Sequence, residues 1–92
     1  MLKDIVEARG AGGHRIWVRF EDGVAGEVDV STLVKFHGVF AALQDLEEVQ
    51  KVRVDVELGT VCWPGGADLD PDVLYSVLTG QRIELRDPAL VA

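Results

Sequence analysis

The stretch HRIWVRFEDGVAGEVDV, residues 14–30, decides the fold of this chain. Ile16, Val18 and Phe20 recur at every second position and alternate with Arg15, Trp17 and Arg19, the period of an extended chain with one face buried and one face wet. Glu21–Asp22–Gly23 follows as an Asp-Gly turn, and Val24, Val28 and Val30 then alternate with Ala25, Glu27 and Asp29. The chain therefore reverses and returns as an antiparallel strand. Toward the N-terminus, Arg9–Gly10–Ala11–Gly12–Gly13 reads as a turn, because glycine takes positive φ without a Cβ penalty. Leu2–Ala8 before it reads as a short strand, giving three consecutive antiparallel strands.

Toward the C-terminus, Ser31 or Thr32 is placed to cap a short helix. Phe36, Val39, Phe40, Leu43 and Leu46 have helical spacing broken at His37–Gly38, which predicts two helical turns rather than one long helix. Val52, Val54 and Val56 alternate with Lys51, Arg53, Asp55 and Glu57, predicting a fourth strand with a charged face. Leu58–Gly59 turns into a fifth, Thr60–Trp63, which ends at Pro64 for want of a backbone N–H. Asp70–Pro71–Asp72 supplies an N-cap acceptor, a proline at the first helical position and a carboxylate on the helix dipole. Val73, Leu74, Val77 and Leu78 form the apolar stripe of that helix, which ends at Gly80. The predicted architecture is α+β: a mostly antiparallel five-stranded sheet with two helices on one face, in the order β-β-β-α-β-β-α. Residues 1–80 form a single domain, and residues 81–92 form a C-terminal tail containing Ile83, Leu85, Leu90 and Val91.

A chain of 92 residues has room for one core. Its net charge of −7 repels nucleic-acid phosphates and anionic membranes. That charge is uneven: four cations against two carboxylates leave residues 1–20 at +2, so residues 21–92 hold −9. The lone Cys62 cannot form an internal disulfide, and the N-terminus shows no basic segment followed by an apolar one, so the cytoplasm is the expected compartment. No apolar run approaches the ~18 residues of a membrane-spanning helix.

Phe20–Glu21–Asp22–Gly23, Gly26–Glu27–Val28–Asp29–Val30 and, above all, Gly59-Thr60-Val61-Cys62-Trp63-Pro64-Gly65-Gly66-Ala67-Asp68-Leu69-Asp70-Pro71-Asp72-Val73-Leu74-Tyr75 carry a family resemblance. From about Leu2 to Tyr75 the chain resembles the bacterial family named domain of unknown function 2442. The family commonly has asparagine where Gly65 stands, a departure that bears on the turn alone. The resemblance implies a small α+β fold and no agreed activity, so it supplies no catalytic residues. It also implies a setting: members often stand in two-gene cassettes similar to toxin and antitoxin pairs, and some add a helix-turn-helix, which is not expected from these 92 residues.

Each candidate site has a structural competitor. Asp68, Asp70 and Asp72 have the spacing that opens a calcium loop, but Val73 and Thr79 stand where such a loop needs glycine and a bidentate glutamate. Helix capping with Asp70 as the main cap is the better reading. Gly65–Gly66 before a helix has the look of a phosphate-cradling turn, yet three aspartates oppose an anion there. His14, His37 and Cys62 match no nucleophile or zinc spacing. Trp17 between Arg15 and Arg19 is the candidate partner contact, since interface hot spots are rich in Trp and Arg. The alternative is that Ile83 and Leu85 pack over it. Trp63 is read as a core anchor where sheet meets helix. With Gly65, Gly66, Asp68, Asp70 and Tyr75 it also outlines a second candidate, a groove at the Trp63–Asp72 turn.

The sequence therefore points to a protein-interaction module for a basic partner, regulatory or antitoxin-like within a gene pair. A small-ligand binder or enzyme using the Trp63–Asp72 turn is the alternative, and a transcriptional regulator the second. No cofactor or metal is expected, and homo-oligomerisation stays open.

Overall fold

The computed structural model describes residues 3–80. Within them run β1 (Ile5–Gly10), β2 (Arg15–Phe20), β3 (Ala25–Asp29), α1 (Leu46–Val49), β4 (Arg53–Asp55), β5 (Thr60–Cys62) and α2 (Pro71–Thr79). Two 3-10 segments, Val30–Thr32 and Gly38–Gln44, fill the crossing between β3 and α1.

Residues 15–29 form the β2–β3 hairpin. Gly23, at φ 95°, closes the turn by donating its N–H to the Phe20 carbonyl at 3.0 Å, a left-handed position that glycine fills without strain. Ile16, Val18 and Phe20 are fully buried, and Ile16 lies opposite Val28. On the other side β2 pairs with β1, whose register slips between Ile5 and Glu7. This bulge matters to the core. Strict alternation back from Ala8 would turn Val6 inward; the extra residue instead buries Ile5 and leaves Val6 46% exposed.

The expected single five-stranded sheet is not what forms. β1–β2–β3 make one antiparallel sheet and β4–β5 a separate two-stranded one. The Asp55 carboxylate explains the shortness of β4. It accepts from the backbone N–H groups of Glu57 and Leu58, folding the chain into a turn that lifts Val56 to 85% exposure. Among the described residues, one backbone hydrogen bond links β1 to the second hairpin, from the Ile5 N–H to the Gly59 carbonyl at 2.8 Å. β1 also begins at Ile5 and runs on to Gly10, two residues past the expected end. Gly10 pairs with Ile16, and its missing side chain leaves room for Gln50, which accepts from the Gly12 N–H and donates to the Gly13 carbonyl. Leu2 and the tail residues 81–92 lie outside the described residues.

The core joins the inner faces of both sheets. Leu43, Val49, Trp63, Ala67, Leu69 and Leu74 pack with the buried strand residues. Trp63 is 3% exposed, and its indole N–H donates to the Val49 carbonyl at 3.0 Å. The buried aromatic thus ties β5 to the end of α1 while satisfying its own polar atom.

The helices differ from expectation in two details. The first cap is Asp29, not Ser31 or Thr32: its carboxylate accepts from the Ser31 N–H and hydroxyl, and the crossing forms 3-10 turns with only four residues of α-helix. In α2, Leu74 is buried, Tyr75 and Leu78 are half-buried against the core, and Val77 is 49% exposed. At about 100° per residue, Leu74, Leu78 and Tyr75 share one face and Val77 falls on its shoulder. Gly26 of β3 sets that rotation, because a Cβ there would lie 2.8 Å from Leu78.

Candidate functional site

An open groove of about 390 Å³ runs between the β3–α1 crossing and the N-terminal turn of α2. Its floor is Leu69 and Leu74, both buried. Half-buried Leu33, Val34 and Phe40 form one flank, and Val73 forms the other. Exposed Lys35 and His37 stand on the rim of the first wall, facing a second wall that carries exposed Asp68 and Asp70.

Each wall is fixed by local chemistry. After the Asp29-capped turn, residues 34–37 run without regular structure until Gly38, at φ 61°, admits the next 3-10 segment. The Gln44 side chain clips this run by donating to the Phe36 carbonyl at 3.1 Å. The second wall is a tight reversal. The Trp63 N–H donates to the Ala67 carbonyl, the Gly66 N–H to the Trp63 carbonyl, and the Leu69 N–H to the Val61 carbonyl. The Thr60 hydroxyl, itself buried, donates to the Leu69 carbonyl. Asp70 then caps α2 by accepting from the Asp72 N–H at 2.9 Å, with Pro71 following and Gly80 closing the helix in the left-handed region.

The structure brings Asp68 and Asp70 to the groove and leaves Trp63, Gly65, Gly66 and Tyr75 outside its lining. Trp63 serves the core. Gly65 and Gly66 form the exposed tip of the reversal, Gly66 at φ 99°. Tyr75 packs edge-on to Phe20, with ring centroids 5.0 Å apart, and its hydroxyl donates to the Asp22 carboxylate at 2.6 Å. That hydrogen bond, helped by the Val24 N–H, holds the Asp22 carboxyl below its ordinary range, and the same bond raises the Tyr75 phenol. It fastens α2 to the β2–β3 turn.

Sequence reasoning missed Leu33, Val34, Lys35 and Phe40 as site residues and weighed His37 only as a catalytic base or metal ligand with His14 and Cys62. The break at His37–Gly38 was the available signal, since apolar residues on both sides of a helix break cannot all face the same core. His14 is half-buried and stacked on Phe36 at 5.2 Å, His37 is exposed, and Cys62 is half-buried on β5. Among the described residues, no group of three or more His, Cys, Asp and Glu is placed to hold a metal ion. Among the described residues, no serine, threonine or cysteine lines the groove, so they offer it no hydroxyl or thiol nucleophile.

The other candidate surface is the outer face of the three-stranded sheet. Trp17 is half-buried at its centre, with the Arg9 guanidinium 4.0 Å above the ring, a cation–π contact between register partners. Arg19 bonds Glu7 at 3.0 Å and Arg15 lies 3.9 Å from Glu27. The expected cover by Ile83 and Leu85 falls outside the described residues. No helix among the described residues is long and apolar enough to cross a membrane.

The family model described as protein of unknown function (DUF2442) matches residues 5–79, from the first residue of β1 to the last of α2. No curated protein and no solved structure matches the chain.

Proposed function

Because the chain belongs to the DUF2442 family, whose description names no reaction, we propose from the geometry that it is a protein-interaction module that takes apolar side chains of a partner into the groove beside α2. The observation that carries this reading is the lining: an apolar floor and flanks, oppositely charged rims and, among the described residues, no nucleophilic hydroxyl or thiol. Anchor residues that enter apolar pockets inside a polar rim dominate most protein interfaces. The net charge of −7 favours a basic partner and speeds its approach at low salt. A regulatory or antitoxin-like role in a gene pair is compatible with such a module and rests on the family resemblance alone. A small apolar ligand is the second reading, favoured by a groove volume within the range of about 300–1,000 Å³ typical of ligand sites.

The test is isolation of the protein from its host as wild type and as Val73→Arg, which places a long cation on the groove flank without touching the Asp70 cap. A stoichiometric protein companion that is retained by wild type and lost by the variant supports the module. Recovery of a small molecule or of DNA without a protein companion contradicts it.

A further inference from the structure

Among the described residues, no strand pairs with the outer edge of β3. β3 is a terminal strand. The Phe20 N–H bonds the Val24 carbonyl at 2.7 Å, and the Val30 N–H bonds the His14 carbonyl at 2.9 Å. In an antiparallel ladder these bonds fix the alternation, so Gly26 and Val28 direct their N–H and C=O groups at β2. Ala25 and Glu27 direct theirs away from it. Both residues are exposed. Such an edge is usually blunted by a lysine or a proline, and β3, Ala25–Asp29, contains neither.

We infer that the β3 edge is a strand-addition site for an extended basic segment of a protein partner. An incoming strand would find the Ala25 and Glu27 N–H and C=O groups as its ladder, and its side chains would alternate between two environments. On the outer face they lie beside Glu27 and Asp29, whose carboxyl is held below its ordinary range by the Ser31 hydroxyl and N–H and so stays ionised. Lysine or arginine is favoured there. On the inner face they lie beside Gly26 and Leu78, where an apolar side chain fits. A second copy of this chain is the poorer occupant. Two β3 strands meeting about a twofold axis set Glu27 opposite Glu27 in the register that uses the whole strand, and like charges directly opposed destabilise a pair. Each copy also carries a charge of −7. This site is distinct from the groove beside α2 and stands or falls separately.

The probe is a short capped peptide alternating lysine and valine, compared with its glutamate-for-lysine counterpart and with a version N-methylated at every second amide. Amide hydrogen exchange and amide chemical shifts of the protein are the readouts. The lysine peptide should slow exchange at Ala25 and Glu27 by about tenfold or more at saturation, and the N-methylated and glutamate peptides should not. Glu27→Lys should lose the lysine peptide and gain the glutamate one, with an unchanged melt, because the Arg15–Glu27 pair it breaks is exposed. Equal response to both charge patterns, or no protection at millimolar peptide, overturns the inference. So does protection that appears without peptide together with a dimer mass. Shifts confined to Leu33 and Val73 overturn it too, while leaving the groove reading intact.

Discussion

The two tryptophans, Trp17 on β2 and Trp63 directly after β5, have opposite surroundings. Trp63 is 3% exposed, and its indole N–H is bonded to the Val49 carbonyl. Trp17 is half-buried on the outer face of the three-stranded sheet under the Arg9 guanidinium. Residue type does not separate them; the neighbouring layer does. β5 and the reversal after it are enclosed by α1 and the start of α2, so a large side chain there completes the core. β2 gives its inner face to the core through Ile16, Val18 and Phe20, and its outer face joins a charged array. One corner holds the fold, and among the described residues the opposite face and its β3 edge lie outside the core.

Trp63→Ala should break this division most severely. Loss of a buried aromatic costs about 3–5 kcal/mol, a large share of the total for a small domain, and urea melts of the variant should show it nearly unfolded. Gly10→Ala comes next, because its Cβ would lie 2.9 Å from the Gln50 Cα while the Gln50 side chain is held by the Gly12–Gly13 turn. Overpacking of this kind costs about 1–3 kcal/mol, measurable as a lower denaturation midpoint at constant slope. Asp70→Ala removes the α2 cap and should cost about 1 kcal/mol, with added exchange confined to the first turn of that helix. Trp17→Ala gives up one cation–π contact, about 0.5–1 kcal/mol, and the partial burial of a ring that Trp63 buries in full. A melt of Trp17→Ala as damaging as that of Trp63→Ala would erase the contrast.

The smallest effect is a pH dependence. Asp22 is held below its ordinary range chiefly by the Tyr75 hydroxyl, so its contribution is complete above the ordinary carboxylate value and is lost as pH falls through the lower folded value. Tyr75 is raised by the same bond, so its share is complete below the ordinary phenol value and is lost as pH rises through the higher folded one. Tyr75→Phe should therefore be slightly less stable than wild type at neutral pH, and the difference should vanish in acid. Melts of both proteins across pH, with carboxyl titration of Asp22 by NMR, check the sign.

The strands of residues 14–30 and the α2 cap were legible because their causes are local: a period of two, an Asp-Gly turn, and a proline after an aspartate. The core role of Trp63 followed from the strand-to-helix junction. The β1 bulge was not legible, since nothing local in Ile5–Glu7 announces an extra residue. The split of the sheet was hidden for a similar reason. Val52, Val54 and Val56 keep strand period, and the Asp55 carboxylate, accepting from the Glu57 and Leu58 N–H groups, ends the strand early. The groove was half visible. Asp68 and Asp70 were singled out from the sequence, but the opposite wall depends on how residues 33–40 cross from β3 to α1, a matter of tertiary packing in a segment with weak helical character.

Amide hydrogen exchange of the free protein tests the central claim most directly, because β3 carries its own control. Gly26 and Val28, bonded to β2, should exchange slowly alongside Val61 and Trp63, and Ala25 and Glu27, on the open edge, should exchange at rates near those of an unprotected chain. That alternation within one strand is the predicted result. Protection of Ala25 and Glu27 equal to that of Gly26 and Val28 would show the edge already covered in the free protein and would contradict the account.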